Sequence, residues 1–208
     1  MKRGIMAIAF GALLAIASLA AGALAQERAK TAPAPDASVR VVLETEMGEI
    51  ELALDAVRAP VTTANFLKYV DGGLYDGGVF HRTVTPANQP NNPIRIEVIQ
   101  GGINPARAKE DDAAIALERT SQTGIRHVDG AVSMARDGPD TATSDFFICI
   151  GDQPSLDFGG KRNPDGQGFA AFGRVVRGMD VVRKIQAAPA KGQTLTPAVK
   201  ILKAVRKN

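Results

Sequence analysis

Tryptophan is absent from this chain of 208 residues, cysteine occurs once and histidine only twice. A site built from clustered His and Cys ligands therefore has almost no material, and no metal is expected. Cys149 has no second cysteine to pair with; set in the apolar run FFICI, it reads as a small buried hydrophobe, not a reactive thiol. The short catalytic signatures are missing too. There is no GxSxG, HExxH or CxxC, and His81 and His127 each stand without a nearby pair of acids or thiols. A Ser/His/Asp hydrolase would have to be assembled from distant positions. Gly166 to Ala171 formally matches GxGxxA, but turn-rich FGGKRNPD precedes it where a nucleotide-binding loop needs a strand. No cofactor is expected.

Charge excludes a further class. The first 25 residues place Lys2 and Arg3 before an apolar run, and Ala23-Leu24-Ala25 supplies small residues at the positions a signal peptidase reads. Residues 1–25 are expected to be a removable export signal. Their loss takes two of the 25 basic residues and no acidic one, leaving 23 against 22, a net charge of +1. No Lys/Arg cluster suited to a phosphate backbone remains, so nucleic acid is not an expected partner, and neither is a membrane once the signal is gone. Periplasmic localisation follows from the signal. Residues 26–38, QERAKTAPAPDAS, mix Ala, Pro and charge without periodicity and read as a flexible tether, with one folded domain over 39–208.

What the domain contains is a series of short alternating runs. VRVVLETEMGEIELALD gives two strands across Met47-Gly48, a hairpin signature. Val61 to Val70, after Pro60 and before Gly72-Gly73, predicts a helix with Phe66, Leu67 and Val70 on its apolar face. GVFHRTV, IRIEVIQGG, GAVSMAR, SDFFICIG and FAAFGRVV predict strands; Met179 to Ile185 predicts a second helix, and Ala198 to Val205 a last strand. Without βαβ alternation, this pattern argues for an antiparallel barrel or sandwich.

Alternation also places side chains. Val98 and Gln100 fall on one face of their strand, Asp145 and Phe147 on one face of theirs, and in FHR Arg82 is expected to point away from His81. Spacing alone allows two readings: a solvated face with a weak Arg82–Asp145 ion pair, or one patch combining guanidinium, amide, carboxylate and ring.

Taken in order, VFHR, VIQGG, GAVSMAR, SDFFICIG, SLD and FAAFGRVVRGMDVV resemble the cyclophilin family of peptidyl-prolyl cis-trans isomerases over roughly Val39 to Val205. The resemblance implies an eight-stranded antiparallel β-barrel capped by two helices, with a groove on its outer face for proline-containing peptides and unfolded proteins. It implies a catalytic role for Arg82, Gln100 and Phe147, the last as the floor of the proline pocket. Val98, Ala135, Arg136, Asp145, Leu156 and Phe169 would bind substrate. The expected activity is isomerisation of Xaa-Pro bonds by a monomer assisting the folding of exported proteins; the alternative is a binding module with little turnover. That alternative rests on departures from the family pattern: Asp145 in place of glutamine, Ser155 where an aromatic residue is common, and Glu97 where phenylalanine is usual. Two insertions, PANQPNNPIR and FGGKRNPDGQG, flank the motifs, and the first is expected to shape the rim of the groove.

Overall fold

The computed structural model describes residues 38–111 and 113–207. The expected signal at 1–25 and the tether up to residue 37 lie outside the described residues. The hairpin read across Met47-Gly48 is β1 (Val39–Thr45) with β2 (Gly48–Leu54), in a register that sets Thr45 opposite Gly48. Its inward residues Val41, Leu43, Ile50, Leu52 and Leu54 are fully buried, as period-two patterning requires of a strand with one covered face. Helix α1 (Pro60–Asp71) starts on proline, whose fixed φ and missing N–H suit a first turn.

The chain continues through β3 (Val79–Val84), β4 (Val98–Gly102), β5 (Ala131–Met134), β6 (Phe146–Cys149) and β7 (Ala170–Arg177). Helix α2 (Met179–Gln186), the two-residue β8 (Ala190–Lys191) and the long β9 (Thr194–Lys207) complete it. The strands pair in the order β1-β2-β7-β5-β6-β4-β3-β9, all antiparallel, and β9 returns to β1. That pairing closes an eight-stranded barrel and decides against an open sandwich; β8 pairs only with β9 as a hairpin stub.

Besides a single turn at Thr120–Thr123, the two longer helices feed one core. Phe66 of α1 meets Tyr75, Phe146 and Phe172 at ring separations of 5.0 to 5.3 Å, while α2 contributes Val181, Val182 and Ile185. Two boundaries differ from expectation. Ile94 to Glu97 are not in β4, because the buried Gln89 side chain takes up the backbone groups of Ile96. β9 begins earlier than Ala198, because the turn after β8 folds Thr194 and Leu195 back onto Lys191 and Ala190.

A second, smaller apolar cluster lies apart from the core. It gathers Val84, Ile96, Val98, Phe147, Cys149 and Leu156, with Ala135 and Phe169 packed against it. Since Phe146 and Ile148 belong to the core cluster, the alternate residues Phe147 and Cys149 face outward, and β4 to β6 carry a greasy patch on the barrel's outer surface.

Candidate active site

A groove of about 530 Å³ opens on that patch, and all nine residues singled out from the sequence line it. Register explains the grouping. Gln100 is directly opposite Phe147 on β6 and opposite Arg82 on β3, so three adjacent strands present them side by side. Phe147 is 4% exposed and meets Phe169 edge-on with ring centres 5.3 Å apart, forming the apolar floor and wall.

Arg82 owes its direction to a bulge. The β3–β4 register shifts between Phe80 and Arg82, so His81 is an extra residue. Phe80 stays in the core while both His81 and Arg82 reach the outer surface. The expectation that Arg82 would point away from His81 is therefore corrected: His81 Nε2 lies 3.5 Å from Asp145 Oδ2, on the same patch. The Arg82 guanidinium donates from Nη1 to Gln100 Oε1 at 2.9 Å, and from Nε and Nη2 to Gln193 Oε1 at 2.9 and 2.6 Å. Gln100 passes the connection on, its Nε2 donating to Asp145 Oδ2 at 3.0 Å. Arg82 and Asp145 thus form no direct ion pair. Burial lowers the arginine's pKa, but guanidinium titrates so far above neutrality that the charge persists.

Asp145 needs space that only glycine leaves. A Cβ on Gly102 would sit 2.0 Å from Asp145 Oδ1. Of the other departures, neither Glu97 nor Ser155 lines the groove. Glu97 turns instead to α2, accepting from Gln186 Nε2 at 3.1 Å, and Ile96 takes the place beside the pocket. Two of the three departures on which the binding-module alternative rests thus place no side chain in the groove.

Arg136 reaches the groove with its donors committed. Its guanidinium makes a two-pronged ion pair with Asp165 at 2.8 and 3.0 Å, donates to the Gly168 carbonyl, and lies 5.0 Å over the Phe169 ring. These bonds anchor the insertion 158–168 to the barrel and hold the Asp165 carboxyl below the usual carboxylate range. The formal GxGxxA begins in this loop and runs into β7. Gly168, at φ +67°, is there because a Cβ would come within 2.7 Å of the Leu156 carbonyl oxygen.

Beneath the floor lies a constellation that the sequence did not reveal. His127 Nδ1 is 2.8 Å from Asp157 Oδ1, and its Nε2 is 3.0 Å from Ser133 Oγ. The geometry resembles a hydrolytic triad, yet Ser133 is 0% and His127 1% exposed, and the imidazole stacks under Phe147 at 5.9 Å and 13°. No substrate carbonyl can reach that serine, so the arrangement supports the floor. Burial acts to raise the Asp157 pKa, but hydrogen bonds from the His127 side chain and backbone outweigh it and hold the pKa down. Burial also pushes the Cys149 thiol up, consistent with an inert buried residue.

Among the residues missed, two bear on the guanidinium chemistry: Gln193, which holds Arg82 without lining the groove, and Arg162, which lines it. Gln193 comes from the turn after β8 and reaches Arg82 only through the β3–β9 register, which no local motif announces. Arg162 lines the groove from within FGGKRNPDGQG, where the insertion itself was the available signal. The first insertion, Pro86 to Arg95, contributes no lining residue, contrary to the expected rim. It acts from behind, through Gln89.

Comparison with known proteins agrees with this description. The family described as "Cyclophilin type peptidyl-prolyl cis-trans isomerase/CLD" matches residues 40–206. Peptidyl-prolyl cis-trans isomerase A of Dickeya dadantii is 38% identical over 149 residues, 71% of either chain. A peptidyl-prolyl cis-trans isomerase of Acinetobacter baylyi is 36% identical over 154 residues, 74% of either chain. A solved cyclophilin-type isomerase from Cryptosporidium parvum superposes with a TM-score of 0.67 at 21% identity, covering 82% of this chain and 98% of its own. The same protein was also crystallised in the presence of the dipeptide Ala-Pro, with a TM-score of 0.66.

Proposed function

The chain belongs to the cyclophilin-type peptidyl-prolyl cis-trans isomerases, an enzyme family, and from that premise we propose how its groove turns over Xaa-Pro bonds and where it does so. An Xaa-Pro amide rotates over a barrier of about 18 to 20 kcal/mol because its C–N bond has partial double-bond character. Catalysis needs neither nucleophile nor metal, only tighter binding of the twisted amide than of either planar form. In the twisted state the proline nitrogen becomes pyramidal and regains a lone pair.

Arg82 supplies the donor for that lone pair, and the carrying observation is how the guanidinium is held. Two neutral amides, Gln193 and Gln100, fix its orientation, and among the described residues no carboxylate is bonded to it. Its charge therefore stays available to the substrate at the edge of an apolar pocket. Phe147, Val98, Leu156 and Phe169 receive the pyrrolidine ring, while Ala135 offers strand-end backbone to the peptide. An Ala-Pro unit, the dipeptide present with the solved relative, is the smallest segment of this kind.

The natural substrates on this reading are proline-containing segments of exported proteins, met in the periplasm after removal of residues 1–25 by a monomer that binds neither nucleic acid nor membrane. An isomerisation assay on Xaa-Pro peptides tests the site. Arg82→Ala is expected to lower kcat/KM at least about tenfold, the equivalent of about 1.4 kcal/mol of lost transition-state stabilisation, with an unchanged circular dichroism spectrum. Full activity in that variant would remove Arg82 from the mechanism.

A further inference from the structure

Arg162 is, with Arg82 and Arg136, one of three guanidinium groups lining the groove, and its surroundings differ from those of Arg136. Its backbone N–H is held by the Ser155 carbonyl at 3.1 Å. Its Nη1 donates to Gln89 Oε1 at 2.9 Å and to the Ile94 carbonyl at 2.6 Å. Gln89 is itself buried, its Nε2 donating to the Thr85 and Ile96 carbonyls at 2.8 Å. The two insertions therefore meet at this one side chain and fix it in place. Every partner is neutral, and among the described residues Nε and Nη2 have none.

The other charged groups along the groove are partnered differently. Arg136 is neutralised by Asp165. Asp145 accepts from Gln100, and Asp111 accepts from the Thr143 and Ser144 hydroxyls; with Asp137, whose backbone N–H donates to Thr141 Oγ1, these carboxylates gather about the stretch from Thr141 to Asp145. Arg82 and Arg162 have amide and carbonyl partners only. They are close enough that the charge of Arg82, after burial, further lowers the Arg162 pKa. Two fixed, partly desolvated cations with no carboxylate bonded to either form an anion-selective end beside the proline pocket.

We propose that Arg162 is a specificity-determining residue, selecting proline-containing segments that carry a carboxylate within a residue or so of the proline. The proposal rests on the isomerase reading of the groove and names a substrate class for it. A glutamate side chain or a terminal carboxylate reaching Nε and Nη2 would gain charge-assisted bonds at a donor already held in position, with little ordering left to do. A lysine at the same place would face two like charges.

Exchange spectroscopy, which requires no coupling protease, tests this on the folded domain. Two peptide series place Glu, Gln or Lys immediately before the proline in one and immediately after it in the other. In at least one series, kcat/KM should fall in the order Glu, Gln, Lys, with Glu above Gln by about fivefold at low salt. Near 1 M salt, where the screening length shrinks to about 3 Å, the ratio should approach one. Arg162→Gln should flatten the Glu-to-Gln ratio and Arg162→Lys should retain most of it. If Arg162→Gln does not fold, the wild-type series and its salt dependence still decide. Equal turnover of Glu and Gln peptides in both series at low salt overturns the proposal and leaves the isomerase reading standing; no turnover of any peptide overturns both.

Discussion

Arg82 can serve a twisted amide only if its plane is held still, and two glutamines do this from opposite sides. Gln193 takes two of its nitrogens with a single oxygen, a fork that one truncation would undo. We expect Gln193→Ala to lower kcat/KM about three- to tenfold, chiefly through kcat, because a loosened guanidinium still binds the peptide but spends less time aimed at the nitrogen. Steady-state kinetics separate the two parameters, and a rise in KM with kcat unchanged would reduce Gln193 to a contributor to substrate binding. The role of this residue is also not legible in the sequence. Gln100 and Phe147 were legible because strand alternation puts them on outward faces, but Gln193 is 111 residues from Arg82 and arrives through pairing.

At the scale of elements, β5 and β6 hold the floor in place by way of Ser133, His127 and Asp157. The aspartate anchors this chain from beyond the strands, in the turn after Leu156, where its carboxylate also accepts the His127 backbone N–H. Asp157 was legible only as the end of the SLD motif, since nothing in the sequence pairs it with a histidine 30 positions earlier. Because its folded pKa is depressed below the ordinary aspartate value of about 3.9, the carboxylate stabilises the fold above that pH. The contribution is lost as pH falls below about 4, through the folded value. Asp157→Asn should cost about 2 kcal/mol at pH 7, and the gap in Tm between wild type and variant should be flat from pH 7 to 5 and narrow below pH 4. Thermal unfolding across that range checks it. A gap that widened in acid would show that Asp157 is not stabilised as the anion.

For the whole molecule, alternating runs without βαβ order were enough to indicate an antiparallel barrel or sandwich, and the closing of β9 on β1 is what the runs could not state. Closure depends on partners about 160 residues apart, such as Arg40 with Lys207, and no local signal carries that distance. The proposed export is carried by residues 1–25, whose removal would leave a net charge of +1. Signal peptidase accepts only small side chains at the positions filled by Ala23 and Ala25. Expressed in a bacterium with an envelope, the full chain is expected to accumulate in the periplasmic fraction beginning at Gln26, read by N-terminal sequencing. Ala25→Arg should block that cleavage and leave a longer, membrane-retained form. Recovery of the unprocessed full-length wild-type chain from the cytoplasm would overturn export, while leaving the groove chemistry untouched, since every residue of that groove lies beyond position 81.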